Sequence, residues 1–176
     1  MIWKLPPGNG FPAPGCAGAA EGSSTTDNPG VIVRPPLLYG AMFIVVLLLR
    51  WLWPMPILRH ALTPWFGLVP LLLGLVIVIP GRRALQAAGT NVNPSLPTTA
   101  IVTSGPFRFS RNPLYVGLTL LYVGLTLVFN TWWGLILLIP ILIVMHRGVV
   151  LREERYLEEK FGDAYRQYCS RVARYL

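Results

Sequence analysis

The residues with the most chemistry to offer are two arginines three apart, Arg108 and Arg111, followed at once by Asn112-Pro113-Leu114-Tyr115. Asparagine suits a helix N-cap, and proline suits the first helical position, where its missing N–H has no partner to lose. The pattern predicts a helix opening at Asn112-Pro113. Free N–H groups there carry partial positive charge, and the arginines deepen that field, so the corner suits an anion. Carboxylates are the complementary resource, and they are confined. Between Asn28 and Arg152 there is no aspartate or glutamate. Apart from Glu21 and Asp27, every acid lies in the tail, as Glu153, Glu154, Glu158, Glu159 and Asp163. Glu153 and Glu154 come first after the last apolar run, so a site needing carboxylates draws on them. His146, seven residues earlier, shares a face with Glu153 if one α-helix runs through both. That makes it a candidate base.

The elements that must position these groups are membrane helices. Of 176 residues, 53% are hydrophobic and only 12% charged, against roughly 25% charged in soluble domains. The formal charge of +8 comes largely from arginines flanking apolar runs, where they set topology or meet anionic lipid head groups. Nucleic acid is not an expected partner; membrane lipids are. Cys16 and Cys169 match no metal or redox spacing, and two histidines are too few for a histidine-based metal site. No metal is expected.

Residues 1–35, rich in Pro, Gly, Ser and Ala, lack the pattern of a signal peptide and read as a poorly ordered leader. Residues 36–176 then form one all-α, polytopic membrane domain. Its apolar segments, at about 37–53, 65–80, 114–129 and 132–146, give about four transmembrane helices, each needing flanking residues to reach the usual ~17–25. Pro70 and Pro140 are expected to bend their helices. Asn130-Thr131 alone separates the last two, which predicts a tight hairpin. Gly117 and Gly124 share a face on which another helix can approach closely. The arginines place both termini and the 81–113 loop in the cytoplasm, so the arginine corner and the tail acids share one membrane face. Beyond Phe161-Gly162-Asp163, Tyr165, Tyr168, Val172 and Tyr175 recur at helical spacing and predict an amphipathic helix covering a cytoplasmic pocket.

An anion grip facing a carboxylate pair suits S-adenosylmethionine, which carries a carboxylate, an ammonium, a ribose diol and a sulfonium. Anionic lipid would also suit the arginines. At these residues the chain resembles a family of membrane methyltransferases that includes the isoprenylcysteine carboxyl methyltransferases and the phospholipid N-methyltransferases. The resemblance rests on Ile101-Val102, Gly105-Pro106-Phe107, Arg111-Asn112-Pro113-Leu114-Tyr115-Val116-Gly117, Glu153-Glu154 and Phe161-Gly162-Asp163-Ala164-Tyr165, and spans roughly 65–172.

The resemblance implies an integral membrane enzyme, of bacterial inner-membrane type, using S-adenosylmethionine. Thr99, Ala100, Ile101, Val102, Phe107, Asn112, Pro113, Leu114 and Tyr115 would line the cofactor pocket. Glu153 and Glu154 would contact its amino-acid or ribose part. Arg111 and His146 are the candidate catalytic residues, and Arg108 and Arg147 the candidate contacts to a lipophilic or lipid-like acceptor. Departures stand against a prenylcysteine acceptor. Asn112 replaces the family's usual His, Phe107 a Tyr, Thr99 a His and Val149 an Arg. Two other readings stay open: an NADPH-dependent membrane reductase of sterol-reductase-like architecture, and a non-catalytic lipid-binding protein.

Overall fold

The computed structural model describes residues 2–4, 30–58, 63–93 and 96–175. Most of the expected leader lies outside these residues. Within it, Ile2–Lys4 (β1) pairs antiparallel with Ala100–Val102 (β2), Ile2 opposite Val102 and Lys4 opposite Ala100. This small ladder was not expected. The β-branched Ile101-Val102 step suits a strand, and β2 is buried throughout.

The protein is otherwise all-α and polytopic. Helix α1 is Pro35–Leu52, started by a Pro-Pro pair; α2 is Thr63–Ala87; α3 is Pro113–Val128; α4 is Trp132–Met145. A π-helical turn at His146–Val150 links α4 to α5, Leu151–Phe161, and a short α6, Asp163–Cys169, follows. Three helical stretches, Pro35–Leu52, Trp65–Ala87 and Trp132–Phe161, are long and apolar enough to cross a membrane, with Pro113–Val128 a shorter apolar helix. Pro70 and Pro80 lie inside α2 and Pro140 inside α4, and each helix continues through them.

Helices α2 and α3 form the closest pair, because glycines face each other along both. A Cβ placed on Gly74 would stand 2.8 Å from the Gly117 carbonyl oxygen, and one on Gly67 2.7 Å from that of Gly124. The neighbour expected at Gly117 and Gly124 is therefore α2. In lipid, where no hydrophobic effect drives helices together, such close backbone approach supplies the dispersion contacts that hold them. The remaining core joins α1, α3, α4 and the π turn through Tyr39, Val46, Tyr122, Ile141, Met145 and Val149. The Tyr39 hydroxyl and Thr119 Oγ1 hydrogen-bond at 2.7 Å. Outward-facing Leu37, Ile44, Leu48, Val69, Leu72 and Val76 are exposed, as lipid-facing positions are.

The α3–α4 hairpin turns at Asn130, whose φ of 48° an asparagine tolerates better than most residues. Its Oδ1 accepts the Ile57 and Leu58 N–H groups at 3.0 and 3.1 Å, and its Nδ2 donates to the Leu58 carbonyl at 2.7 Å. At this end Arg50 donates to the Phe129 carbonyl, and Trp133 Nε1 donates to the Trp53 carbonyl at 2.8 Å. The opposite end gathers the start of α1, the end of α2, the start of α3 and all of α5, with the candidate residues among them.

Candidate functional site

The approach to α3 is a 3-10 turn, Gly105–Arg108, beginning at Gly105, whose φ of +60° suits glycine. Asn112 occupies the N-cap position, as expected, but its side chain does not cap the helix. Its Nδ2 donates instead to the Arg174 carbonyl at 3.1 Å, while the Asn112 N–H donates to Ser110 Oγ at 3.1 Å. The first turn of α3 is closed by the Tyr115 and Val116 N–H groups donating to the Asn112 carbonyl. Asn112 thus ties the loop to the C-terminal strap. The strap is stitched down further by the Arg111 N–H, which donates to the Ala173 carbonyl at 2.9 Å, and by Ser110 Oγ, which donates to the Arg174 carbonyl at 3.3 Å.

Glu153 and Glu154 lie in the first turn of α5. Arg111 Nη1 is 3.1 Å from Glu154 Oε1, with side chains only 15% and 13% exposed. Arg174 binds the same carboxylate, Nη2 to Oε2 at 2.8 Å. Arg111 Nη1 also donates to Cys169 Sγ at 2.8 Å, yet its buried Nε has no hydrogen-bond partner among the described residues. Burial works against the Arg111 charge, but Glu154, with Cys169 and Tyr165, outweighs it and holds the guanidinium above its ordinary pKa. Glu153 turns to the helix bundle, where its Oε2 accepts the Tyr115 hydroxyl at 2.6 Å.

These groups line one cleft. Its walls include Ala100, Ile101, Val102, Phe107, Arg111, Asn112, Pro113, Leu114, Tyr115, Glu153 and Glu154, which brings together eleven of the sequence-derived candidates. It has about 90 Å³ of internal room within about 760 Å³ of atom-free space that includes its open mouth. Thr99 stands just outside; its N–H donates to Thr90 Oγ1 and its Oγ1 to the Gly89 carbonyl, and Thr98 takes the lining position. Arg108 and Arg147 are exposed and do not line the cleft.

His146 differs from expectation because the helix is not uniform. The π turn between it and Glu153 inserts an extra residue into the turn and rotates one end against the other, so the seven-residue spacing no longer places both on one face. His146 lines a separate apolar cleft with Tyr39, Thr119 and Met145, and its Nδ1 hydrogen-bonds with the Tyr175 hydroxyl at 2.8 Å.

Sequence reasoning missed Arg174 as the second partner of Glu154, and Cys169 and Tyr168 beside the cleft. Tyr168 donates to the Phe107 carbonyl at 2.8 Å, and burial, the chief cause, pushes its pKa above the ordinary tyrosine value. The available signal was the periodic tail stripe, read as a cover, whose flanking arginines had few acids to answer them.

Residues 62–164, more than half of the chain, match the phospholipid methyltransferase family. The chain belongs to that family. Membership makes this integral membrane protein a methyltransferase-type chain with lipid-like molecules as its substrate class. It is also similar to a protein of Haemophilus influenzae described as uncharacterized, 47% identical over 45 residues, covering 26% of this chain and 67% of that protein. No solved structure matches.

Proposed function

We propose that the protein transfers a methyl group from S-adenosylmethionine to a lipophilic acceptor at the membrane face. The observation that carries this reading is the cleft that Arg111, whose buried Nε has no hydrogen-bond partner among the described residues, shares with Glu153, Glu154 and an aromatic wall. That donor set fits the methyl donor. Arg111 would hold its carboxylate, the glutamates its ammonium or ribose hydroxyls, and Phe107 and Leu114 its base. When bound there, the group supplies an electrophilic methyl on a sulfonium.

What remains for the chain is orientation and exclusion of water. A carboxylate acceptor needs no base; an amine or hydroxyl must first give up a proton, and Glu153, the carboxylate that Tyr115 bonds, would receive it. In this reading Arg111 is a binding residue, and His146 a positioning residue that holds Tyr175. The internal room, about 90 Å³, is below the ~300 Å³ of ordinary small-molecule sites, so the cleft would have to widen to admit the donor. Residues 36–176 would form one domain in a bacterial inner membrane, with both termini cytoplasmic, as the arginine distribution supports.

Calorimetric titration with S-adenosylhomocysteine, repeated with NADPH, tests the reading. The expected result is saturable binding of the first and none of the second. A response to NADPH alone would favour a reductase, and no response to either in folded protein would sink the proposal. Incubating lipid extract with labelled methyl donor then identifies the acceptor.

A further inference from the structure

Helix α4 reaches α5 through the π turn at His146–Val150, closed by the Leu151 N–H donating to the His146 carbonyl. Such a turn is rare beside the α-helix that the same residues can form, and it recurs at functional sites. Two sets of contacts favour it here. Val149 and Val150 are fully buried, and Val149 belongs to the core with Tyr39 and Val46. The second set comes from the chain at 30–34, just before α1. The Ile32 N–H donates to the Gly148 carbonyl at 3.3 Å. The Ile32 side chain packs over Gly148, where an added Cβ would stand 3.5 Å from Ile32 Cδ1. One turn further along, Arg152 Nη1 donates to the Gly30 carbonyl at 2.9 Å.

The register of this turn matters because two carboxylates follow it at once. Glu153 Oε2 accepts the Tyr115 hydroxyl at 2.6 Å, and Glu154 meets Arg111 at 3.1 Å and Arg174 at 2.8 Å. If the turn relaxed to α-helix with its sequence unchanged, everything beyond it would advance by one residue. That is a rotation of about 100° and a shift of about 1.5 Å. Both carboxylates would then leave their partners. Arg152 is exposed and does not line the cleft of Arg111 and the glutamates, so its bond to Gly30 acts on the helix and not on a ligand.

We propose that residues 30–34 clamp the π turn, and that the Ile32 N–H and the Arg152 guanidinium are the positioning groups that keep Glu153 opposite Tyr115 and Glu154 opposite Arg111. The clamp works through backbone register alone. That the carboxylates so placed bind the methyl donor rests on the proposed methyl transfer; their placement does not.

The test uses the full chain in dodecylmaltoside micelles, with the Tyr115 ring fluorinated and read by fluorine NMR. E153Q supplies the reference signal of a Tyr115 hydroxyl without its carboxylate. I32P combined with R152Q removes both clamp bonds. Its signal should move to the E153Q position, and its affinity for S-adenosylhomocysteine should fall about tenfold. Deleting Gly148 from that double variant removes the extra residue, so an unbroken α-helix again points Glu153 at Tyr115. Signal and affinity should both return, whereas general damage to the fold is not repaired by losing another residue. R152Q alone decides the matter if the double variant does not fold: its signal should shift the same way, while R152K, which keeps a donor, should hold the wild-type signal. An undisplaced signal in R152Q and the double variant, or a displacement that deleting Gly148 leaves in place, would overturn the proposal. A wild-type protein without any S-adenosylhomocysteine response would remove the methyl-donor reading, and the fluorine signals would still decide the clamp.

Discussion

The Tyr115 hydroxyl donates to Glu153 Oε2 at 2.6 Å, joining the first turn of α3 to the first turn of α5. Tyr115 also lines the polar cleft of Arg111 and two apolar clefts beside it. One side chain thus orients a carboxylate of the polar cleft and forms part of the wall that separates that cleft from its apolar neighbours. Tyr115→Phe removes the donor and keeps the ring. Hydrogen bonds to charged groups contribute about 1.5–3 kcal/mol, so the variant should bind S-adenosylhomocysteine roughly tenfold or more weakly by calorimetry. Unchanged affinity would show that the pair is structural only.

Glu154 is shared by Arg111 and Arg174, and the two arginines differ in depth. Arg174 is the more exposed partner, at 39%, and exposed pairs contribute about 0.2–1 kcal/mol. Arg174→Gln should free the carboxylate and raise S-adenosylhomocysteine affinity or association rate by up to about fivefold, read by stopped-flow or calorimetry. Glu154→Gln behaves differently. It strands a nearly buried Arg111, and breaking a buried pair costs about 3–5 kcal/mol, so a fall in melting temperature should accompany any loss of binding. Glu153→Gln is the cleaner probe of ligand contact.

Close packing of α2 on α3 should tolerate no added methyl group. Gly74→Ala forces a Cβ to within 2.8 Å of the Gly117 carbonyl oxygen, and overpacking of this kind costs about 1–3 kcal/mol. Gly40→Ala, where nothing lies within 4 Å of the added atom, is the control and should be silent. Thermal unfolding in detergent reads both. Equal behaviour of the two would mean that the glycine face is not a tight contact.

Alkaline pH should loosen the tail. Burial raises the pKa of Tyr168, and burial also leads the causes that raise Tyr165. A group whose folded pKa lies above its unfolded value favours the native state fully below the unfolded pKa, here about 10, and that contribution is lost as pH rises beyond it. Stability should therefore stay level to about pH 9 and fall above about 10. Tyrosinate absorbance should rise together with unfolding. Tyr168→Phe should make the decline shallower, and an identical decline would place its cause elsewhere.

Much of the fold was legible because its signals are local. Apolar run length marked the helices, Asn130-Thr131 the hairpin, and the spacing of Gly117 and Gly124 a close helix contact. The motif Arg111 to Gly117 and the pair Glu153-Glu154 pointed to the residues that line one cleft. The role of the Asn112 side chain was not legible. An N-cap preference describes the backbone position, whereas the partner of the amide depends on where Arg174 arrives from the far end of the chain.

By itself, the sequence determined that this is a helical membrane protein whose arginine corner and tail acids lie at one end of the bundle, since hydropathy and charge act through composition alone. Only the tertiary structure decided which acid meets which base. The π turn at His146–Val150 rotates His146 away from Glu153, and the C-terminal strap carries Arg174 back onto Glu154. Both depend on how packed helices align over distances that no local spacing records. The burial of the Arg111 Nε, without a hydrogen-bond partner among the described residues, follows from that alignment, and the proposed chemistry rests on it.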